Sequence, residues 1–163
     1  AIALTENSAA MCMQRSNQLL CQESVNDMFV TVFYGILNIH TGIVTYCNAG
    51  HNAPILLKKD GVVSELPLTD DMVLGAISDT VYHEKELKLL PGDNLFLYTD
   101  GVTEAVNIKN DFYGGQRLLD NCKKLTGKNP KEVVERITET VGEFVIGAVQ
   151  SDDITMLSIA YKG

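Results

Sequence analysis

The sequence predicts an α+β fold, with helices segregated onto the faces of antiparallel sheets. Three observations predict it. Short apolar segments rich in Val, Ile, Phe and Tyr recur through the middle of the chain, separated by Thr41-Gly42, Asp60-Gly61 and Pro91-Gly92-Asp93. Helical patterning occupies residues 8–22 and returns after residue 114. One last apolar segment closes the chain. No internal repeat, low-complexity tract or linker is present, so the 163 residues are expected to form one domain, 1–163.

In order along the chain, residues 8–22 read as a helix with Ser8 as cap and Ala9, Met13, Leu19 and Leu20 as its apolar stripe. Met28 to Leu37 is a nearly continuous apolar run, the pattern of a strand buried on both faces. Thr41-Gly42 turns it into a strand over Ile43 to Cys47. Ile55–Lys58 and Val62–Leu66 flank the Asp60-Gly61 turn as a second hairpin. Residues 67–80 read as a longer connection. Tyr82 to Leu89 alternates as a strand, and Pro91-Gly92-Asp93 turns it into the strand Leu95–Tyr98. Gly115 to Lys124 is helical. Asn129, Pro130 and Glu132 open a second helix with Val133, Val134, Ile137, Val141, Phe144 and Val145 on one face. The last strand runs from about Ile154 to Tyr161.

Acidic residues outnumber basic ones, 21 to 13, for a formal charge of −8. That argues against a nucleic-acid-binding face, which needs a basic patch. It leaves phosphorylated substrates open, because bound cations reverse the local field. No apolar run approaches the roughly 20 residues of a membrane helix, and no signal-peptide pattern opens the chain, so a cytoplasmic location is expected. Cys12, Cys21, Cys47 and Cys122 form no CxxC pair. They read as buried thiols in a reducing compartment rather than disulfides or zinc ligands. Met11, Met13 and Met28 read as core fillers.

The chemistry-bearing residues are carboxylates at strand ends. Leu95-Phe96-Leu97-Tyr98-Thr99 runs into Asp100-Gly101, and Ser151-Asp152-Asp153 precedes Ile154-Thr155-Met156-Leu157. If the two strands are antiparallel neighbours, Asp100 and Asp152 converge, and converging carboxylates repel unless a proton or cation sits between them. Carboxylate ligands favour Mg²⁺ or Mn²⁺ over zinc or copper. Spacing alone leaves open that these aspartates only cap turns. Asn48-Ala49-Gly50-His51 offers a histidine, but the residue types suit a turn tied through backbone hydrogen bonds better than an acid catalyst.

Four segments in order resemble one family: Met28-Phe29-Val30-Thr31, Asn48-Ala49-Gly50-His51, Leu97-Tyr98-Thr99-Asp100-Gly101-Val102-Thr103-Glu104-Ala105 and Asp152-Asp153-Ile154-Thr155. They look like the SpoIIE/RsbU-like bacterial branch of the PPM (protein phosphatase 2C-like) metal-dependent serine/threonine phosphatases. The resemblance spans residues 8 to 161. It implies an α/β/β/α sandwich of antiparallel sheets flanked by helices, with two Mn²⁺ or Mg²⁺ ions at one edge. It implies Asp100 and Asp152 as metal ligands with Asp153 beside them, an architectural role for Asn48 to His51, and a regulatory, substrate-facing Leu74-Gly75-Ala76. The implied reaction is hydrolysis of phosphoserine or phosphothreonine on a bacterial regulatory protein, such as an anti-sigma-factor antagonist, by metal-activated water. An upstream sensor or regulatory domain is implied as well.

The family's earlier Asp-Val-Ser-Gly motif, which supplies a bridging aspartate, is absent from this sequence. The chain is therefore expected to be the C-terminal portion of the domain, beginning at Ala1, with an incomplete metal site and open sheet edges that favour a homodimer. Two other readings stay beside the enzyme: a non-catalytic phosphatase-like binding module in signalling, and a metal-binding structural domain.

Overall fold

The structure, a computed structural model, describes residues 2–4, 6–23, 28–150 and 152–163; Ala1 and Ser151 lie outside the described residues. The chain divides into two compact units, Ala1–His51 with Pro67–Leu89 and Asn52–Leu66 with Leu90–Gly163. Among the described residues no helix is long and apolar enough to cross a membrane.

In the first unit, β1 (Val32–Leu37), β2 (Ile43–Ala49) and β5 (Lys85–Lys88) form an antiparallel sheet in the order β1-β2-β5. Val32 pairs with Ala49 and Leu37 with Val44. The turn between them is set by composition: the Asn38 side chain accepts the N–H groups of His40 and Thr41 (3.0 and 3.1 Å), and Gly42 takes a φ of 72°. The expectation of a strand buried on both faces over Met28 to Leu37 is corrected. β1 is an edge strand that begins at Val32, and Met28, Phe29 and Val30 are exposed. Val30 makes only an isolated bridge to Leu74.

Helix α1 (Ala9–Glu23) packs on β1 and β2. Ser8 caps it as expected, accepting the Met11 N–H (3.2 Å) and donating to Glu84, whose carboxylate also accepts the Ala10 N–H. Its buried face differs from the apolar stripe. Leu19 and Leu20 are exposed, as are Met11 and Met28, whereas Ala9, Cys12, Met13 and Asn17 are buried. Asn17 is fully enclosed because main-chain groups satisfy it. Its Nδ2 donates to the Ile77 and Ser78 carbonyls (2.8 and 3.2 Å), and its Oδ1 accepts the Gly75 N–H (2.8 Å). The Leu74-Gly75-Ala76 segment is thereby fastened to α1, and Gly75 needs its φ of 88° and lack of Cβ because the Met28 carbonyl oxygen lies 2.7 Å from where a Cβ would stand. Asn17→Ala removes the partner of the Gly75 N–H and of the Ser78 carbonyl, while the Ile77 carbonyl keeps its bonds from Thr80. The substitution is expected to lower unfolding free energy by about 1–3 kcal/mol, read as a lower urea midpoint.

A second polar knot joins the 67–84 connection to β2. The Asp71 carboxylate accepts from the His83 N–H (3.0 Å), the His83 ring Nδ1 (2.7 Å) and the Cys47 thiol (3.4 Å). Burial alone would raise the Asp71 pKa, but the hydrogen bonds from His83, Thr69 and Cys47 outweigh it and hold the carboxyl below the usual range. Burial, followed by the Asp71 contact, pushes the Cys47 thiol up to about 12. A depressed carboxylate contributes stability above its unfolded pKa, roughly 3.9, and loses it as pH falls through the folded value. Urea midpoints are therefore expected to fall as pH drops below about 4, and to fall less in Asp71→Asn.

In the second unit, β3 (Ile55–Leu57), β4 (Val63–Glu65), β6 (Asn94–Tyr98) and β7 (Met156–Ala160) form a sheet in the order β4-β3-β6-β7, antiparallel throughout. The Pro91-Gly92-Asp93 turn does not make a hairpin, because β5 and β6 belong to different sheets. Asp93 braces that turn instead, accepting the Lys59 and Leu90 N–H groups (3.0 and 2.9 Å). One face of the sheet, carrying Ile55, Leu57, Phe96 and Tyr98, packs with Leu118, Val133, Ile137 and Val141 of α3 (Gly115–Lys123) and α4 (Pro130–Phe144). Asn129 and Glu132 form the expected capping box, with Pro130 at the first helical position.

Candidate metal centre

The register of the second sheet brings the two acidic segments to one edge. Tyr98, the last residue of β6, pairs with Met156, the first of β7, so Thr99-Asp100 and Asp152-Asp153 leave the sheet side by side. This is the antiparallel adjacency on which convergence of the two acidic segments was conditional. Asp100 lies two residues beyond the strand, at the first position of the short helix α2 (Asp100–Thr103).

Two residues fasten the segments together: Thr99, which sequence reasoning passed over, and Gly101, which the sequence offered for a positive φ or for close approach to a ligand. Thr99 is the first. Its N–H donates to the Thr155 carbonyl, its hydroxyl donates to the Asp153 carbonyl, and the same oxygen accepts the Thr155 N–H, each at 3.0 Å. The hydroxyl makes no capping bond to its own helix; it is committed to the neighbouring segment. Gly101 is the second. A Cβ there would overlap the Asp153 carbonyl oxygen and stand 3.0 Å from the carbonyl carbon. Glycine serves close approach here and not a positive φ, since Gly101 is absent from the positive-φ glycines. The available signal was the Thr-Asp-Gly order itself: a hydroxyl before the acid and no side chain after it.

Asp100, Asp152 and Asp153 are exposed. Asp100 Oδ1 accepts the Gly101 N–H (3.0 Å), and Asp152 Oδ1 accepts the Asp153 N–H (2.7 Å). Gln150 donates to the Asp152 carbonyl (2.8 Å). These are local turn bonds, and each leaves a second carboxylate oxygen open. No Lys, Arg or His forms an ion pair with the three acids among the described residues. Hard, anionic oxygens without a basic counter-charge suit Mg²⁺ or Mn²⁺. Among the described residues, however, no group of three or more His, Cys, Asp or Glu is placed to hold a metal ion. The donor chemistry fits such an ion, but the three acids by themselves do not make a complete ligand set.

The other sequence candidate resolves as architecture. Asn48 is buried, donates to the His51 carbonyl (2.9 Å) and accepts the His51 N–H (2.8 Å), while Thr69 brackets the Asn48 main chain (2.9 Å each). His51 thus contributes its backbone to a turn.

Known proteins resemble the chain in sequence and in fold. IcfG of Synechocystis is 34% identical over 133 residues, covering 81% of this chain and 20% of that protein. The phosphoserine phosphatase RsbU of Bacillus subtilis is 28% identical over 151 residues, covering 92% of this chain and 44% of RsbU. The chain thus spans a fifth to under half of the length of these relatives. In structure it is similar to the SiaA-PP2C domain of Pseudomonas aeruginosa (TM-score 0.85, 20% identity, 98% of this chain and 63% of that one). It is also similar to the manganese-presoaked SpoIIE phosphatase domain of B. subtilis (TM-score 0.70, 16% identity, 99% and 70%). The fold is therefore that of the PP2C-type phosphatases. The Stage II sporulation protein E profile matches residues 1–162, and with antiparallel sheets, helices and strand-end aspartates in the expected places, the chain belongs to the SpoIIE family of PP2C-type serine/threonine phosphatases.

Proposed function

We propose that the chain supplies the catalytic half-site of a protein phosphatase that hydrolyses phosphoserine or phosphothreonine on a bacterial regulatory protein, such as an anti-sigma-factor antagonist. The observation that carries this is the fastening of Asp100 to Asp152-Asp153 through Thr99 and Gly101. Rigid placement of carboxylates is what a metal-assisted hydrolase needs. Metal dependence is a property of PP2C-type phosphatases. In this reading Asp100, Asp152 and Asp153 hold Mg²⁺ or Mn²⁺, which supplies positive charge and Lewis acidity to the reacting phosphoryl group and water. Thr99 and Gly101 set the spacing of those acids. Water forms the new P–O bond, the bond from phosphorus to the serine or threonine oxygen breaks, and that oxygen leaves with a proton.

The same reading takes residues 1–163 as one phosphatase domain, acting in the cytoplasm beside a sensor region and associating as a homodimer. The absence of a three-acid cluster among the described residues favours the second reading, a non-catalytic binding module. Hydrolysis of p-nitrophenyl phosphate and of a phosphoserine protein, by this chain and by the full natural gene product, separates the two. Mn²⁺-dependent turnover abolished by chelator supports the enzyme. Turnover by neither, with Mn²⁺ bound or not, leaves the binding module.

A further inference from the structure

The sheet edge that carries the acidic segments also carries exposed apolar side chains. Ile108, Phe112, Ile146 and Val149 are 62–88% exposed. They belong to two segments of the second unit: the 106–112 loop that follows α2, and the 145–149 turn that follows α4. Two contacts bring these segments together. A Cβ at Gly147 would stand 3.3 Å from Cγ2 of Ile108. The Arg117 guanidinium lies 4.3 Å over the centre of the Phe144 ring and donates to the Phe112 carbonyl (3.2 Å).

Both segments are tied to the acidic ones. The Tyr113 N–H donates to the Ala105 carbonyl (2.8 Å) and the Gly114 N–H to the Thr103 carbonyl (2.9 Å). Phe112 is thereby held beside the end of α2, a four-residue helix about 6 Å long that begins at Asp100. On the other side, Gln150 follows Val149 and donates to the Asp152 carbonyl (2.8 Å). The loop itself is preformed. The Asn107 side chain accepts the Lys109 and Asp111 N–H groups (2.8 and 3.0 Å), and Val106 bridges to Phe112. A partner docking here pays little to order the surface it meets.

Size and charge select the occupant. The four side chains present on the order of 400 Å² of apolar surface, the size of a patch that is often functional. That is about half of what each partner buries in a stable protein complex, so a short segment fits it better than a second subunit. The surroundings are acidic. Residues 100–112 carry Asp100, Glu104 and Asp111 against Lys109, and residues 143–153 carry Glu143, Asp152 and Asp153 with no basic residue.

We propose that Ile108, Phe112, Ile146 and Val149 form the docking surface for the substrate segment around the phosphorylated residue, and that this segment carries a bulky apolar residue and a basic residue beside the phosphoserine or phosphothreonine. Apolar burial supplies affinity, and charge complementarity supplies selection. That the segment is phosphorylated rests on the phosphatase reading.

The test uses the full natural gene product with Mn²⁺, p-nitrophenyl phosphate, and three synthetic phosphoserine peptides. The phosphoserine is flanked on both sides by leucine and lysine, by leucine and glutamate, or by glycine alone. The leucine–lysine peptide is expected to have a kcat/KM at least about tenfold above the glycine peptide, the discrimination that burying one apolar side chain provides. It is expected to exceed the leucine–glutamate peptide at least about threefold. The double variant Phe112→Ser/Val149→Ser is expected to bring the leucine–lysine to glycine ratio within about twofold of unity. A general loss of activity lowers both values and leaves their ratio. Val62→Ser, an exposed apolar position at the opposite end of the sheet, is expected to keep the parental ratio. Both variants change exposed side chains, and parental melting temperatures are expected. Equal values for the leucine–lysine and either other peptide, or a parental ratio in the double variant, overturn the proposal. Failure to hydrolyse p-nitrophenyl phosphate as well as the peptides overturns the phosphatase reading and not this one. Where the peptides are not hydrolysed, amide chemical shifts of the 163-residue chain titrated with the leucine–lysine peptide in Mg²⁺ decide. Saturable shifts at residues 106–112 and 145–150 that vanish in the double variant uphold the docking surface; shifts elsewhere, or none, overturn it.

Discussion

Asp100→Asn is expected to reduce Mn²⁺-dependent kcat/KM of the full natural gene product by about 10²–10³-fold, the size of several kcal/mol of lost transition-state stabilisation. The substitution removes the anionic charge and keeps the geometry. Asparagine retains an Oδ1 for the Gly101 N–H, the one bond the Asp100 side chain makes in the described structure. Asp100 is exposed, so no core contact is lost. Folding is expected to stay within about 0.5 kcal/mol of the parent, the range of ordinary surface substitutions. That separation makes the experiment decisive. A loss of activity with an unchanged melting curve in chelator, and a smaller Mn²⁺-induced rise in melting temperature, assigns Asp100 to metal binding. Unchanged activity sinks that role.

The elements most legible in the sequence are those whose signal is local. The Asn129-Pro130-Glu132 cap, the Asp60-Gly61 turn and the Asn48–His51 turn all depend on residues within a few positions of one another, and each appears as expected. The face of α1 was not legible, because hydropathy ranks Leu19 and Leu20 above Asn17. What reverses that order is a set of main-chain groups near residues 75–78, nearly 60 positions away, that no local pattern reveals. Met28 to Val30 misleads in the same way: an apolar run does not report whether a partner covers it. At the candidate centre, the strand ends brought Asp100 and Asp152 together only on the condition that β6 and β7 are antiparallel neighbours, a pairing across nearly 60 positions that the register supplies. The closeness of that approach was not readable, since it depends on a glycine facing a carbonyl across the gap between two segments.

Gly101→Ala tests that approach directly and is expected to have the largest effect on stability and site together. The added methyl meets the Asp153 main chain rather than the end of a mobile side chain, so it cannot be relieved by a rotamer change. Either α2 or the Asp152-Asp153 segment must move. The Thr99 hydroxyl bonds to Asp153 and Thr155 sit at the same junction and are expected to lengthen or break. Gly101 is itself buried beside Val102, which is fully enclosed in the sheet–helix core, so the strain is transmitted into packing. Overpacking of this kind costs about 1–3 kcal/mol, with loss of the Thr99 bonds adding about 1 kcal/mol. A matched Ala substitution at Gly115, where a Cβ meets nothing within 4 Å, is expected to be neutral or slightly stabilising. The pair isolates steric closeness from glycine's general flexibility. If Gly101→Ala lowers the urea midpoint and weakens Mn²⁺ binding while Gly115→Ala does neither, the contact between the two acidic segments positions the metal ligands. A Gly101→Ala protein with parental stability and Mn²⁺ affinity would mean that the segments are free to separate, and that the carboxylates are held by something other than this junction.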